Sequence, residues 1–294
     1  MSVQAAYIGV ILIWTTTPLA IKWSGESAGF LFGVTGRMVI GVVLALILLH
    51  LIGKRLVWHK KARQTYLAGG LGIYGAMLLV YWGAQFIPSG WVSVIFGLSP
   101  IITGLMTTFL LDESEMTGSR KMGLLFGVAG LAMVFAEGTR VSTEVVLGMS
   151  AVVLSTMVHS FSIVWVKKIA AALPGMTITT GSLLVAVTLF LLTWFISGSQ
   201  WPQNIEMRSA GAIIYLGIIG SVLGFALYFY ILTHLQATRV SLIALITPVT
   251  ALLLGTMVNN EVISLQIWIG VSVILTGLML FQWGHRMRPV KAVS

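Results

Sequence analysis

Ten stretches of roughly twenty apolar residues follow one another along this chain, and that succession limits what it can fold into. They run over 4–22, 29–52, 65–86, 88–111, 119–137, 145–166, 176–197, 209–233, 238–258 and 265–284. As helices, stretches of this length cross the ~30 Å hydrocarbon core of a bilayer. The surface chemistry agrees: Asp, Glu, Lys and Arg make up 9% of the sequence, whereas soluble domains carry about 25%. The longest polar linker, Gly53 to Thr65, is too short for a soluble domain. The fold class expected is an all-α membrane protein with ten transmembrane helices. The first stretch has no Lys or Arg before it and no A-x-A site after it, so it is expected to stay as a span.

The basic residues give an orientation. Of 17 Lys and Arg, 13 fall in the loops after even-numbered stretches or in the C-terminal tail. The excess of basic residues in cytoplasmic loops predicts a multi-pass protein of the inner membrane with both termini in the cytoplasm. It also accounts for the net charge of +9 without a nucleic-acid partner, because no soluble basic face exists. Cysteine is absent, which excludes disulfides, thiolate nucleophiles and Cys-based metal sites. Trp23, Trp58, Trp201 and Trp283 stand near span ends, where interfacial aromatics belong.

The sequence repeats itself. VSVIFGLSP (Val92 to Pro100) returns 148 positions later as VSLIALITP (Val240 to Pro248), and a glutamate follows each proline after 13 residues, Glu113 and Glu261. LGIYG at Leu71 pairs with LGIIG at Leu216, and AGLAMVF at Ala129 pairs with TGLMLF at Thr276. Spans three to five thus match spans eight to ten. Five spans is an odd number, so the second copy enters the membrane from the opposite side. Inverted repeats of this kind are common in secondary transporters, with the substrate site near the midplane between the copies. The expected division is 1–140 for the first five spans and 141–294 for the second five.

The segment GSVLGFALYFYILTHLQATRVSLIALITPVTALLLGTMVNNE (Gly220 to Glu261) resembles the second repeat of EamA-type transporters in the drug/metabolite transporter superfamily. The shared features are the aromatic-rich LYFY, the linker QATR, a mid-helix proline and the closing glutamate. Trp14, Arg37, IPSGWVSVIFGLSP and LLDE agree with the first repeat more loosely. The resemblance covers essentially the whole chain. It implies two inverted five-helix repeats, alternating access and, commonly, export of small metabolites.

Ionisable groups at membrane depth are functional candidates, and few are present. All eight carboxylates lie at span ends or in loops. A carboxylate proton relay is therefore not expected, nor is the buried glutamate on which the small four-helix relatives rely. His159 is near a span centre: it is a candidate proton acceptor or substrate ligand, or a neutral imidazole bonded to Ser155 or Ser162. Arg37 is about 13 Å into span two; it either satisfies backbone carbonyls or binds an anion. Pro18, Pro100 and Pro248 are expected to break the ladders of spans one, four and nine, releasing the carbonyls of Trp14, Phe96 and Ala244. Glu113 and Glu261 are expected to cap the following helix or to engage a gate. The substrate-cavity candidates are Trp14, Thr17, Tyr74, Tyr81, Ser99, His159, Ser221, Phe225 and Thr247.

The leading function is a secondary transporter for a small amphipathic metabolite, amino-acid-like or aromatic, working as an exporter. Uptake or exchange of an organic anion is the alternative, kept open by Arg37. Proton coupling through His159 and uncoupled transport both stay open, and the sequence names no oligomeric partner. No cofactor or metal is called for. A channel would need rings of charge or carbonyls, and an intramembrane enzyme would need a nucleophile with a base; neither pattern is present, and no Walker A motif provides for ATP.

Overall fold

The computed structural model describes residues 2–111, 116–235, 240 and 242–283, and all regular structure among them is helical. Lipid offers no partner for a backbone N–H or C=O, so each crossing must satisfy its own ladder. The first three crossings are α1 (Val3–Glu26), α2 (Phe30–Leu51) and α3 (Lys60–Gly83). The fourth is split into α4 (Ser89–Phe96) and α5 (Ser99–Leu111). The next three are α6 (Gly118–Val141), α7 (Thr143–Ile169) and α8 (Gly175–Ile196). The eighth runs as α9 (Met207–Tyr215), a π-helical stretch (Leu216–Leu223) and α10 (Gly224–His234); α11 (Ile243–Asn259) and α12 (Leu265–Trp283) complete the bundle. Nine of the ten crossings are 19 to 27 residues of apolar helix, and α11 is a shorter apolar helix. Observed ends fall within a few residues of those read from the sequence.

Local chemistry sets these ends. Ser2, His59, Thr117 and Ser142 accept N-cap bonds from the backbone amides of Ala5, Ala62, Arg120 and Val145. Ser142 does so directly after α6, turning the chain between two crossings with a single residue. Asn260, at φ +51°, ends α11 in the left-handed conformation that asparagine tolerates better than most residues. Around the outside, Ile8, Leu12, Phe109, Phe195 and Leu265 are among the large apolar side chains left exposed, as a lipid-facing surface requires.

Helix contacts carry the inverted repeat. In spans five and ten the backbones touch: a Cβ on Gly123 would lie 2.6 Å from the Gly277 carbonyl oxygen, and one on Gly130 would lie 2.7 Å from that of Gly270. The two contacts run in opposite directions along the partners, so α6 and α12 are antiparallel. Exchanging Gly123 with Gly270 and Gly130 with Gly277 turns one contact into the other. That exchange is the two-fold operation of an inverted repeat, and the small residues at the seam let van der Waals packing replace the missing hydrophobic drive. The remaining pairings obey the same operation. Span three packs on spans six and seven as span eight packs on spans one and two, while α4 faces α11.

One turn of the bundle's connections defines a near face, holding the start of α1 and the 52–59 linker. The opposite, far face holds the 27–29, 84–88 and 197–206 connections.

Candidate functional site

Proline is used differently in the two copies of the duplicated helix. Span four is interrupted, as expected of Pro100: the proline stands at the second position of α5, after a break at Gly97–Leu98. The residue before a proline avoids the α conformation and the proline supplies no N–H. Ile101 N turns to Leu98 O (3.0 Å), so the Phe96 and Gly97 carbonyls are released from the ladder at mid-membrane. Pro248, its counterpart, stays inside the unbroken α11, as Pro18 stays inside α1. Pro248 touches the break itself, its Cγ lying 3.1 Å from where a Gly97 Cβ would stand.

Two clusters of buried apolar residues stand out. A small one joins Ala6, Val10 and Ile13 of α1 to Leu227, Ile231, Val240 and Ile243; a large one runs from Ala20 and Val34 to Leu278 and Phe281. Trp14 and Tyr228 pack on the small cluster and face each other at 5.0 Å between ring centroids. Phe96 packs on the large cluster, 6.4 Å from the His159 ring. His159 is partly exposed, and so is Ser99 beside the break.

The two serines considered as local partners for His159 are spent elsewhere. Ser155 Oγ donates to Ala76 O at 2.6 Å and Ser162 Oγ donates to Ala68 O at 3.0 Å, both on α3. They tie span six to span three.

Other candidates sit differently. Tyr74 packs on α8: its hydroxyl bonds Thr193 at 2.7 Å and its ring meets Phe190. Tyr81 is 1% exposed and packed in the large cluster, where its hydroxyl receives Arg37 Nη1 at 3.4 Å. Thr247 is buried and donates back to Ile243 O at 3.0 Å, a bond within its own helix. Thr17 is partly exposed and bonds Ile13 O at 2.6 Å. Ser221 lies in the π stretch, donating to Leu216 O at 2.9 Å and accepting from Arg37 Nε at 3.0 Å. The side chain of Phe225 and the whole of Glu113 lie outside the described residues. Among the described residues no three His, Asp or Glu side chains gather to hold a metal.

The far face is closed by polar bonds between the two repeats. Glu261 caps a helix, though not the one that follows it. Its carboxylate accepts from the Ser89 and Gly90 amides (2.9 and 3.3 Å) at the start of α4, and from Asn259 Nδ2 at 3.0 Å. Asn259 Oδ1 in turn accepts from Trp23 Nε1 at 3.0 Å, and Arg208 pairs with Glu26; within the first repeat, Lys22 Nζ donates to Ile87 O at 2.9 Å. Gly255 makes room for the carboxylate: a Cβ there would meet Glu261 Cδ at 3.0 Å. Among the described residues α11 packs along α4. Sequence reasoning missed Lys22, Trp23 and Asn259 in this role. The signal available was NNE at 259–261, polar residues closing a span.

A bundle of ten crossings in two inverted repeats, with aromatic and polar side chains near mid-depth, is the architecture of a secondary transporter. The chain belongs to the EamA-like transporter family, whose model matches residues 2–136 and 146–283. An uncharacterized transporter of Bacillus subtilis, YoaV, is 25% identical over 99% of this chain and 100% of its own. The uncharacterized inner membrane transporter YedA of Escherichia coli is 24% identical over 98% of this chain and 93% of its own. A probable terminal-alkyne amino-acid exporter of Streptantibioticus cattleyicolor is 21% identical over 91% and 92%. One solved crystal structure shares the fold with a TM-score of 0.66 at 20% identity, covering 97% of this chain and 98% of the other.

Proposed function

We propose that this protein exports a small amphipathic metabolite, amino-acid-like or aromatic, across the inner membrane by alternating access. The observation that carries this reading is the set of aromatic and polar side chains near mid-depth, Trp14 with Tyr228 and Phe96 with His159, next to the break in span four. Aromatic faces with a few polar groups suit a ligand that is part apolar and part polar. The repeats 1–140 and 141–294 rock about this site. With both termini in the cytoplasm, as the distribution of Lys and Arg favours, the latched far face is the outer one, and a carrier closed to the outside loads from the cytosol, as an exporter does. The name of the Streptantibioticus relative, a probable amino-acid exporter, favours the same substrate class. His159 is the group through which a proton gradient would couple.

The test is untargeted metabolite analysis of the medium around cells overproducing the wild type or the Trp14→Ala, His159→Ala double variant. An amphipathic metabolite that accumulates outside only with the wild type supports the proposal. Equal accumulation with both removes the cavity assignment. Depletion of a metabolite from the medium by the wild type alone reverses the direction.

A further inference from the structure

Arg37 is a buried cation with no anion beside it among the described residues. Its side chain is 6% exposed, and its two hydrogen bonds go to neutral hydroxyls, Ser221 Oγ at 3.0 Å and Tyr81 Oη at 3.4 Å. Among the described residues no carboxylate pairs with it: Glu26 is taken by Arg208, and Glu261 by Ser89, Gly90 and Asn259. A guanidinium does not escape burial by losing its proton, and of its five N–H donors these bonds occupy two. A cation so placed in a membrane protein calls for a counter-charge.

Ser221 and Tyr81 hold the guanidinium by Nε and Nη1, and among the described residues Nη2 carries no hydrogen bond. Ser221 commits its own proton to Leu216 O, five residues back across the π stretch, so its lone pairs are turned to Arg37 Nε. A π turn inside an α-helix is frequent at functional sites, and the matching residues of span three, 71–78, form ordinary α-helix. Nη2 and the Thr17 hydroxyl lie on the same side of Gly220, each 3.8 Å from where a Cβ there would stand. Thr17 shares a face of α1 with Trp14, one turn away. The open edge of the fork thus lies beside Thr17, one turn of α1 from Trp14.

We propose that Arg37 is the receptor for a carboxylate on the transported molecule. This rests on the amphipathic cavity proposed above and narrows it to small amphipathic carboxylates, zwitterionic amino acids included. A planar fork matches a carboxylate with two parallel bonds, while Trp14 and Tyr228 take the apolar part. Permanently cationic compounds are repelled by the same charge.

The test is binding to the purified full-length protein in lipid nanodiscs, read by tryptophan fluorescence. Benzoate, phenylacetate and 4-methylpentanoate are each titrated beside their carboxamides, which keep the shape and lose the charge. In the wild type at least one acid binds about tenfold or more tighter than its amide. Arg37→Gln weakens that acid about 10- to 100-fold, the range for a hydrogen bond to a charged group, and leaves the amide within about threefold. Arg37→Lys keeps part of the preference, because it keeps the charge and loses the fork. If Arg37→Gln does not fold, Arg37→Lys and Ser221→Ala carry the comparison, both lowering the acid-to-amide ratio. The proposal is overturned if no acid outbinds its amide in the wild type, or if the ratio survives in these variants. Acids and amides binding equally well would overturn Arg37 alone and leave the amphipathic cavity standing; failure of every probe to bind would remove both.

Discussion

Removing the Glu261 carboxylate is expected to open the far face. In the closed arrangement the carboxylate accepts two amides at the first turn of α4 and one from Asn259, at 2.9, 3.3 and 3.0 Å. Loss of an N-cap acceptor costs about 0.5–2 kcal/mol, and loss of a negative charge at a helix N-terminus costs about 0.3–1 kcal/mol more. Partial exposure of Glu261 argues against the upper end, so Glu261→Ala is taken to cost the latch about 2 kcal/mol, a shift of about 30-fold toward the open far face. Glu261→Gln keeps one acceptor and loses the charge; about 1 kcal/mol, or roughly fivefold, is expected. The chain has no cysteine, so a single Ser99→Cys substitution gives one thiol at the mid-depth break. Its labelling rate by a membrane-impermeant maleimide added from the far side reads the open fraction. Rates rising in the order wild type, Gln, Ala at position 261 are expected. Equal rates in all three would refute the latch and make Glu261 an ordinary surface residue.

The architecture was legible because lipid leaves so little freedom: apolar length gave the crossings, and the Val-Ser-x-Ile repeat with its proline gave the inversion. The site was legible only in part. His159, Trp14 and Ser99 stand out in the sequence because a polar or indole side chain in mid-span has few reasons to be there, and their place in a substrate site is the proposal made above. Tyr74 and Tyr81 were misplaced because an apolar helix in a bundle can bury any of its faces, and nothing in the residues of α3 says which one meets α8. The split of span four against the continuity of span nine was hidden by the same proline in both. What differs is Gly97–Leu98 before Ser99, against Leu245–Ile246 before Thr247, where a glycine in one copy permits a break that the other resists. The π stretch left no mark at all: Leu216–Gly220 reads like Leu71–Gly75, and only the contact of Ser221 with Arg37 distinguishes them. Glu261 was recognised as a cap but assigned to its own neighbour, since sequence proximity carries no information about a partner helix 171 residues away.

Gly130→Ala is expected to lower the thermal midpoint of the detergent-purified protein, since its Cβ would stand 2.7 Å from the Gly270 carbonyl; overpacking costs of about 1–3 kcal/mol apply, and an unchanged midpoint would mean that spans five and ten are not in backbone contact. Reporters fused to the N-terminus and to the 52–59 linker should both read as cytoplasmic, and a far-side reading for either would reverse the orientation taken from the basic residues. The repeat extends the latch argument to the other face. The offset of 148 that carries Glu113 to Glu261 also carries Ser89 and Gly90 to Ala237 and Thr238. If alternating access exchanges the roles of the two copies, the state closed at the near face has Glu113 capping the start of span nine through those two amides. Glu113→Gln should then destabilise that state and slow far-side labelling of Ser99→Cys, the reverse of Glu261→Gln. Two substitutions of the same chemistry at matched positions, acting with opposite sign on one thiol, is a result that neither a general loss of stability nor a local surface effect would produce. Changes of the same sign would mean that the two glutamates do not exchange roles.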